Sequence, residues 1–123
     1  MLQNMHYPNH DTGKIGEELA VDWLQQQDFT VLLRNWRFKR FEMDIIAEKS
    51  RVLHFIEVKT RRGDAFGYPE EIVNRRKIRR MLRTGTAFQF QHPQWKQVQY
   101  DILSITLVQH QPPEYYFIED VYI

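Results

Sequence analysis

The chain has 123 residues, 42% of them hydrophobic and 27% charged, with no cysteine. That length suffices for a buried core in one domain over residues 1–123, and the lack of cysteine excludes disulfides and thiolate metal sites. Net charge is +1, yet residues 34–83 hold fifteen basic against seven acidic residues, a local +8 between flanks of −4 and −3. Such mid-chain charge suits a polyanion, nucleic acid first, although a solvated helix face carries charge equally well. No apolar run approaches the ~20 residues of a membrane span. The N-terminal MLQNMHYPNHD lacks the apolar centre of a signal peptide, so a cytoplasmic protein without membrane contact is expected.

Residues 1–11 read as a loose tail around Pro8. Residues 13–27 have the period of an amphipathic helix, with Ile15, Leu19, Ala20, Trp23 and Leu24 on one face. Glu18 falls near the centre of the polar face, whereas Glu17 sits at the edge of the apolar stripe and can reach inward. Gly13 and Gly16 allow a close backbone approach. A first strand is expected over Phe29 to Leu33. Residues 34–40, RNWRFKR, then alternate base and aromatic. That alternation fits a nucleic-acid clamp, and equally a strand that buries Trp36 and Phe38 while Arg34 and Arg37 stay wet.

Residues 41–47 and 52–60 read as the two strands of a hairpin that turns near Lys49 to Val52. Both runs are apolar, yet Asp44 interrupts the first, and Glu57 and Lys59 the second. Buried charge is costly unless it is paired. Glu57 and Lys59 share a face by strand alternation. If Glu48 pairs with Leu53, Asp44 lies opposite Glu57, about 5 Å away between Cβ atoms. Asp44 and Glu57 with the backbone carbonyl of Val58 form a hard-oxygen set that suits Mg²⁺ or Mn²⁺. Lys59 on the same face can stabilise charge developing on a phosphate. The competing reading is a surface Glu57–Lys59 pair with Asp44 capping a turn.

Residues 61–68 form a Gly-containing loop, and Pro69 is expected to open a helix running to about Phe90. Arg75, Arg76, Lys77, Arg79, Arg80 and Arg83 crowd its middle. Together with Arg34, Arg37, Arg61 and Arg62 they are the candidate nucleic-acid contacts, or else a solvated outer face. Val98 to Leu107 is a near-continuous apolar run, hence a central strand. Asp101 within it is a second buried acid, expected to partner an arginine. Glu114 to Ile123 reads as a last aromatic strand, at an edge.

The order helix Glu17, Asp44, then Glu57-Val58-Lys59 resembles the PD-(D/E)xK nuclease superfamily. Gly16-Glu17, Arg34-Asn35-Trp36-Arg37, residues 42–47 (EMDIIA), residues 55–61 (FIEVKTR), Phe66-Gly67-Tyr68-Pro69 and Tyr100-Asp101-Ile102 more closely resemble the YraN family. That family is related to archaeal Holliday-junction resolvases. The resemblance implies a restriction-endonuclease-like α/β three-layer fold, a mixed central sheet flanked by helices. It also implies Glu17, Asp44, Glu57 and Lys59 as the catalytic set of a DNA endonuclease, with branched DNA among its candidate substrates. Phe41 departs from the pattern, which usually has Gly there. Two other readings stand beside this one. The fold can serve as a nucleic-acid-binding module without catalysis, or the C-terminal strand can pair with a protein partner. A homodimer is compatible with each.

Overall fold

The computed structural model describes residues 5–63 and 74–122. Helix α1 (Thr12–Gln26) precedes strands β1 (Thr30–Phe38), β2 (Phe41–Lys49) and β3 (Val52–Arg62). Helix α2 (Arg75–Gln91) and strands β4 (Val98–Leu107) and β5 (Glu114–Ile118) follow. The five strands make one sheet in the order β1-β2-β3-β4-β5. β3 and β4 are parallel and the other neighbours antiparallel. A parallel pair requires a crossover connection, and α2 lies within it.

Strand alternation separates two apolar clusters. Ile45, Ala47, Ile56, Leu103 and Ile105 pack against Ala20 and Leu24 of α1. Ile46, Leu53, Phe55 and Ile102 pack against Ile78, Met81 and Phe88 of α2. The helices therefore cover opposite faces, which makes the three-layer α/β arrangement with a mixed sheet. Two glycines set the spacing. A Cβ on Gly16 would lie 1.7 Å from Thr60 Oγ1, and one on Gly85 would lie 2.3 Å from the Tyr100 hydroxyl. Each helix backbone thus comes closer to its strand than any side chain would permit.

Several elements differ from expectation. β1 is one strand through Phe38, and its register to β2 shifts between Val31 and Leu33. Trp36 packs edge-on to Phe88 at 5.1 Å, and the base–aromatic alternation lies on a strand whose Trp36 and Phe38 are half-buried. The helix that carries the basic run starts at Arg75, where extended Asn74 caps it by accepting the Lys77 N–H at 2.8 Å. Residues 64–73, including Phe66 to Pro69, lie outside the described residues. Tyr7 leaves the expected loose tail. Its side chain is buried, and its hydroxyl donates to the Gln111 carbonyl at 2.7 Å. Asp101 is wholly buried, but its partner is a histidine, not an arginine. His54 Nδ1 lies 2.7 Å from Asp101 Oδ2, while Gln99 Nε2 and the Asp120 N–H donate to Oδ1 at 2.8 and 2.9 Å.

Candidate functional site

The hairpin register is the expected one, with Glu48 opposite Leu53. The β2–β3 ladder ends at Ile45↔Ile56. Beyond it β2 stays paired with β1 as far as Phe41, and β3 stays paired with β4 as far as Arg62. The strands part at the position where Asp44 would face Glu57. A strand amide released from its ladder needs another acceptor. Asp44 provides it, for its Oδ2 accepts the Val58 N–H at 2.8 Å. The N–H and C=O of one strand residue point to the same edge, so the Val58 carbonyl also faces the gap. β2 changes face here as well: Met43 belongs to the α2 cluster and Ile45 to the α1 cluster.

The Asp44 carboxyl is pushed up to about 7, chiefly by burial, with the Val58 hydrogen bond opposing the rise and the charges of Glu57, Glu17 and Glu42 adding to it. Glu17 belongs to this group because Gly16 seats α1 against Thr60 of β3. Glu18 points elsewhere and pairs with Arg34 at 2.8 Å. The carboxylates thus crowd one partly buried aspartate, and their mutual repulsion leaves a local demand for positive charge.

A lysine from α2 meets part of that demand. Lys77 Nζ lies 3.0 Å from Glu57 Oε2, with the two side chains 14% and 19% exposed. Lys77 was expected among the outward-facing bases, but it neighbours Ile78 on the buried side of α2, and that position turns it inward. A cavity of about 240 Å³ opens beside Glu57, lined by Arg40, Phe41, Glu42, Arg80, Met81 and Thr84. Phe41 stands in its wall, with the Arg40 and Arg83 guanidinium carbons 5.3 and 5.7 Å from its ring centre. Arg40 and Arg83 therefore join the site's rim through the very residue that departs from the family pattern.

The remaining candidates divide. Lys59 is exposed on β3, two residues past Glu57, and Arg75, Arg76, Arg79 and Arg80 are exposed on α2. Arg61 is partly buried. Arg34 and Arg37 are engaged in surface pairs with Glu18 and Glu42 at 2.8 and 3.1 Å. Arg62 departs from its expected role. Its Nε donates to Thr12 Oγ1 at 3.0 Å and its Nη1 to the Tyr7 carbonyl at 2.8 Å, and Nη2 reaches Pro8 as well. It ties the N-terminal segment to β3 and is not presented to a ligand.

Among the described residues no three of His, Cys, Asp and Glu gather as a metal-binding group. The oxygens nearest the parting are the Asp44 carboxylate, which accepts the Val58 N–H, the Val58 carbonyl, and the carboxylate of Glu57, whose charge acts on Asp44. All are hard oxygens, and a Mg²⁺ or Mn²⁺ ion takes such a set with water completing its shell. The acids also lie close enough for Glu57, Glu17 and Glu42 to act on the Asp44 carboxyl, so a cation there would be welcome. Among the described residues the Lys77 ammonium on Glu57 competes with it.

Comparison with known proteins places this site in a family. Residues 16–105 match the model of the Uncharacterised protein family UPF0102. A UPF0102 protein of Dictyoglomus thermophilum is 41% identical over 100 residues, covering 80% of this chain and 85% of the relative. One from Mycolicibacterium vanbaalenii is 39% identical over 112 residues, covering 90% and 93%. Another, from Clostridium botulinum, is 42% identical over 84 residues, covering 68% of each. The matched region runs from the glycine that seats α1 to the end of the central strand, and it includes every acid of the cleft. The chain belongs to the UPF0102 family, the YraN family that its motifs resemble.

Proposed function

We propose that this protein is a metal-dependent DNA endonuclease, with the gap between β2 and β3 as its active site. The observation that carries the reading is the parting of the strands at Asp44. The ladder stops there, and Asp44 accepts the Val58 N–H and feels the Glu57 charge, which supports a site shared by Asp44, Glu57 and the Val58 carbonyl. Mg²⁺ or Mn²⁺ held by these three oxygens would polarise a phosphate and make its bound water acidic. Lys59 lies on the same strand to balance charge on the phosphate oxygens. Glu17, from the other face of the sheet, orients the attacking water. Arg40, Arg80 and Arg83 around the cavity, with Arg75, Arg76 and Arg79 beyond, neutralise the flanking phosphates.

The test is cleavage of labelled branched, single-stranded and duplex DNA with Mg²⁺ or Mn²⁺. Cleavage that disappears in Asp44→Ala and in Glu57→Ala supports the assignment. Equal cleavage by the wild type and both variants would trace the activity to a contaminant. A second reading, a nucleic-acid-binding module without catalysis, is favoured by the Lys77–Glu57 pair, which already neutralises one acid of the set. It predicts salt-sensitive DNA binding that survives Asp44→Ala but weakens in Arg76→Ala/Arg79→Ala. Metal-dependent scission of any strand rules it out.

A further inference from the structure

The His54–Asp101 pair does not take part in the cleft. It lies on the α1 side of the sheet, whereas Glu57 faces α2. A cavity of about 450 Å³ opens there, near the hairpin turn, lined by Trp23, Phe29, Phe117, His54, Lys49 and Glu119 among others. That volume lies within the roughly 300–1,000 Å³ of small-molecule sites.

His54 borders this cavity as a built element. Its side chain is 8% exposed, and its partner Asp101 is 0% exposed. A carboxylate only accepts hydrogen bonds, so the His54 proton sits on Nδ1, toward Asp101, and the tautomer is set. Two further donors hold Asp101 in turn, Gln99 Nε2 and the Asp120 N–H. Nε2 is the nitrogen left over. Among the described residues it has no hydrogen-bond partner, nor is it a sealed orphan, because the ring lines the cavity. The Asp101 contact therefore holds Nε2 in a fixed orientation toward whatever enters.

The walls narrow the choice of ligand. Phe29 meets His54 edge-on at 4.9 Å and Phe117 edge-on at 5.9 Å, and Trp23 lies 5.4 Å from Phe117. These rings meet at steep angles, so the wall is aromatic but made of ring edges as well as faces. Lys49 Nζ stands 5.0 Å from the Phe29 ring centre. An aliphatic ligand would bury Nε2 without a partner. A bare anion would leave the aromatic wall unused. A flat heteroaromatic ring that carries an N–H edge and one anionic group satisfies all three features.

We propose that this cavity is a nucleotide subsite. The base packs against the aromatic wall that Trp23 and Phe117 supply and donates to His54 Nε2, and Lys49 pairs with the phosphate. The nucleotide is either free or an unpaired residue of a strand. The site stands on its own geometry, independent of chemistry at the β2–β3 gap.

Adenosine 5′-monophosphate, ribose 5-phosphate, a single-stranded oligodeoxyadenylate and a fully paired duplex are titrated separately into the full chain. Binding is followed by the NMR signals of the His54 ring and the Phe29 and Phe117 amides. The mononucleotide or the single strand is expected to shift these signals and saturate, whereas ribose 5-phosphate is not. Binding by the mononucleotide identifies a free nucleotide, and binding by the strand alone identifies an unpaired one. His54→Gln is expected to weaken binding by roughly tenfold, the scale of one lost hydrogen bond. Because His54 is buried, Lys49→Gln serves as the second variant. It should weaken the mononucleotide several-fold and leave adenosine unchanged. No saturable shift with either nucleotide form, or shifts confined to residues around Asp44, overturns the proposal.

Discussion

Two aspartates beside the β2–β3 hairpin are handled in opposite ways. Asp101, on β4 opposite Ile56, reaches His54 within the closed ladder. Three donors surround it, from His54, Gln99 and the Asp120 backbone, so its charge is met from every side. Asp44 lies at the open end. It has the Val58 N–H, but acids crowd it, and its carboxyl is raised to about 7. The first arrangement holds the fold together and orients a histidine toward a cavity. The second keeps a carboxylate that the fold alone does not satisfy, as active sites commonly do.

The comparison is sharpest in stability. Asp101→Ala removes the common acceptor of three buried or partly buried donors and is expected to cost about 3–5 kcal/mol, read by urea denaturation. Asp44→Asn should act with the opposite sign above neutrality. A raised carboxyl favours the folded state fully below its unfolded value of 3.8, and that contribution is lost as pH rises to about 7. Wild type therefore weakens relative to Asp44→Asn between about pH 4 and pH 7, by a few kcal/mol at most. Denaturation at pH 4 and pH 8 checks this, and a difference that does not change with pH breaks the contrast.

Two intermediate effects follow. Gly16→Ala forces a methyl group into Thr60, so α1 must shift, at about 1–3 kcal/mol. The same shift moves Glu17 from Asp44, and the Asp44 titration seen by carboxyl NMR should move downward with it. Lys77→Met leaves Glu57 without its ammonium and should lower stability at pH 8 by about 1–3 kcal/mol. Added Mn²⁺ should restore more stability to this variant than to wild type, as thermal melts would record. The smallest effect is expected at Arg34→Ala, which breaks an exposed, solvent-screened pair with Glu18 and should leave the urea midpoint almost unchanged.

Much of the closed hairpin was legible in the sequence. Two apolar runs around a short turn specify the Glu48↔Leu53 register, and helical period distinguishes Glu17 from Glu18. The opening of the hairpin was not. It depends on β1 and β4 each holding one strand, which no local pattern encodes. His54 was overlooked because one histidine in an apolar run reads as part of the core, and its partner lies 47 residues away on a neighbouring strand. A closer signal existed, for a lone histidine and a lone aspartate in two otherwise apolar central strands are natural partners. Lys77 was read as one of six bases. Its place beside Ile78, on the edge of the buried stripe, was the available hint.

The central claim is that the open end of the hairpin holds a divalent cation between Asp44 and Glu57. Electron paramagnetic resonance of Mn²⁺ titrated into the protein at pH 8 tests it most directly. The account predicts saturable binding by wild type, loss of that binding in Asp44→Asn and in Glu57→Gln, and tighter binding in Lys77→Met. Binding that is absent from wild type and Lys77→Met alike, or that persists unchanged in Asp44→Asn, would contradict it.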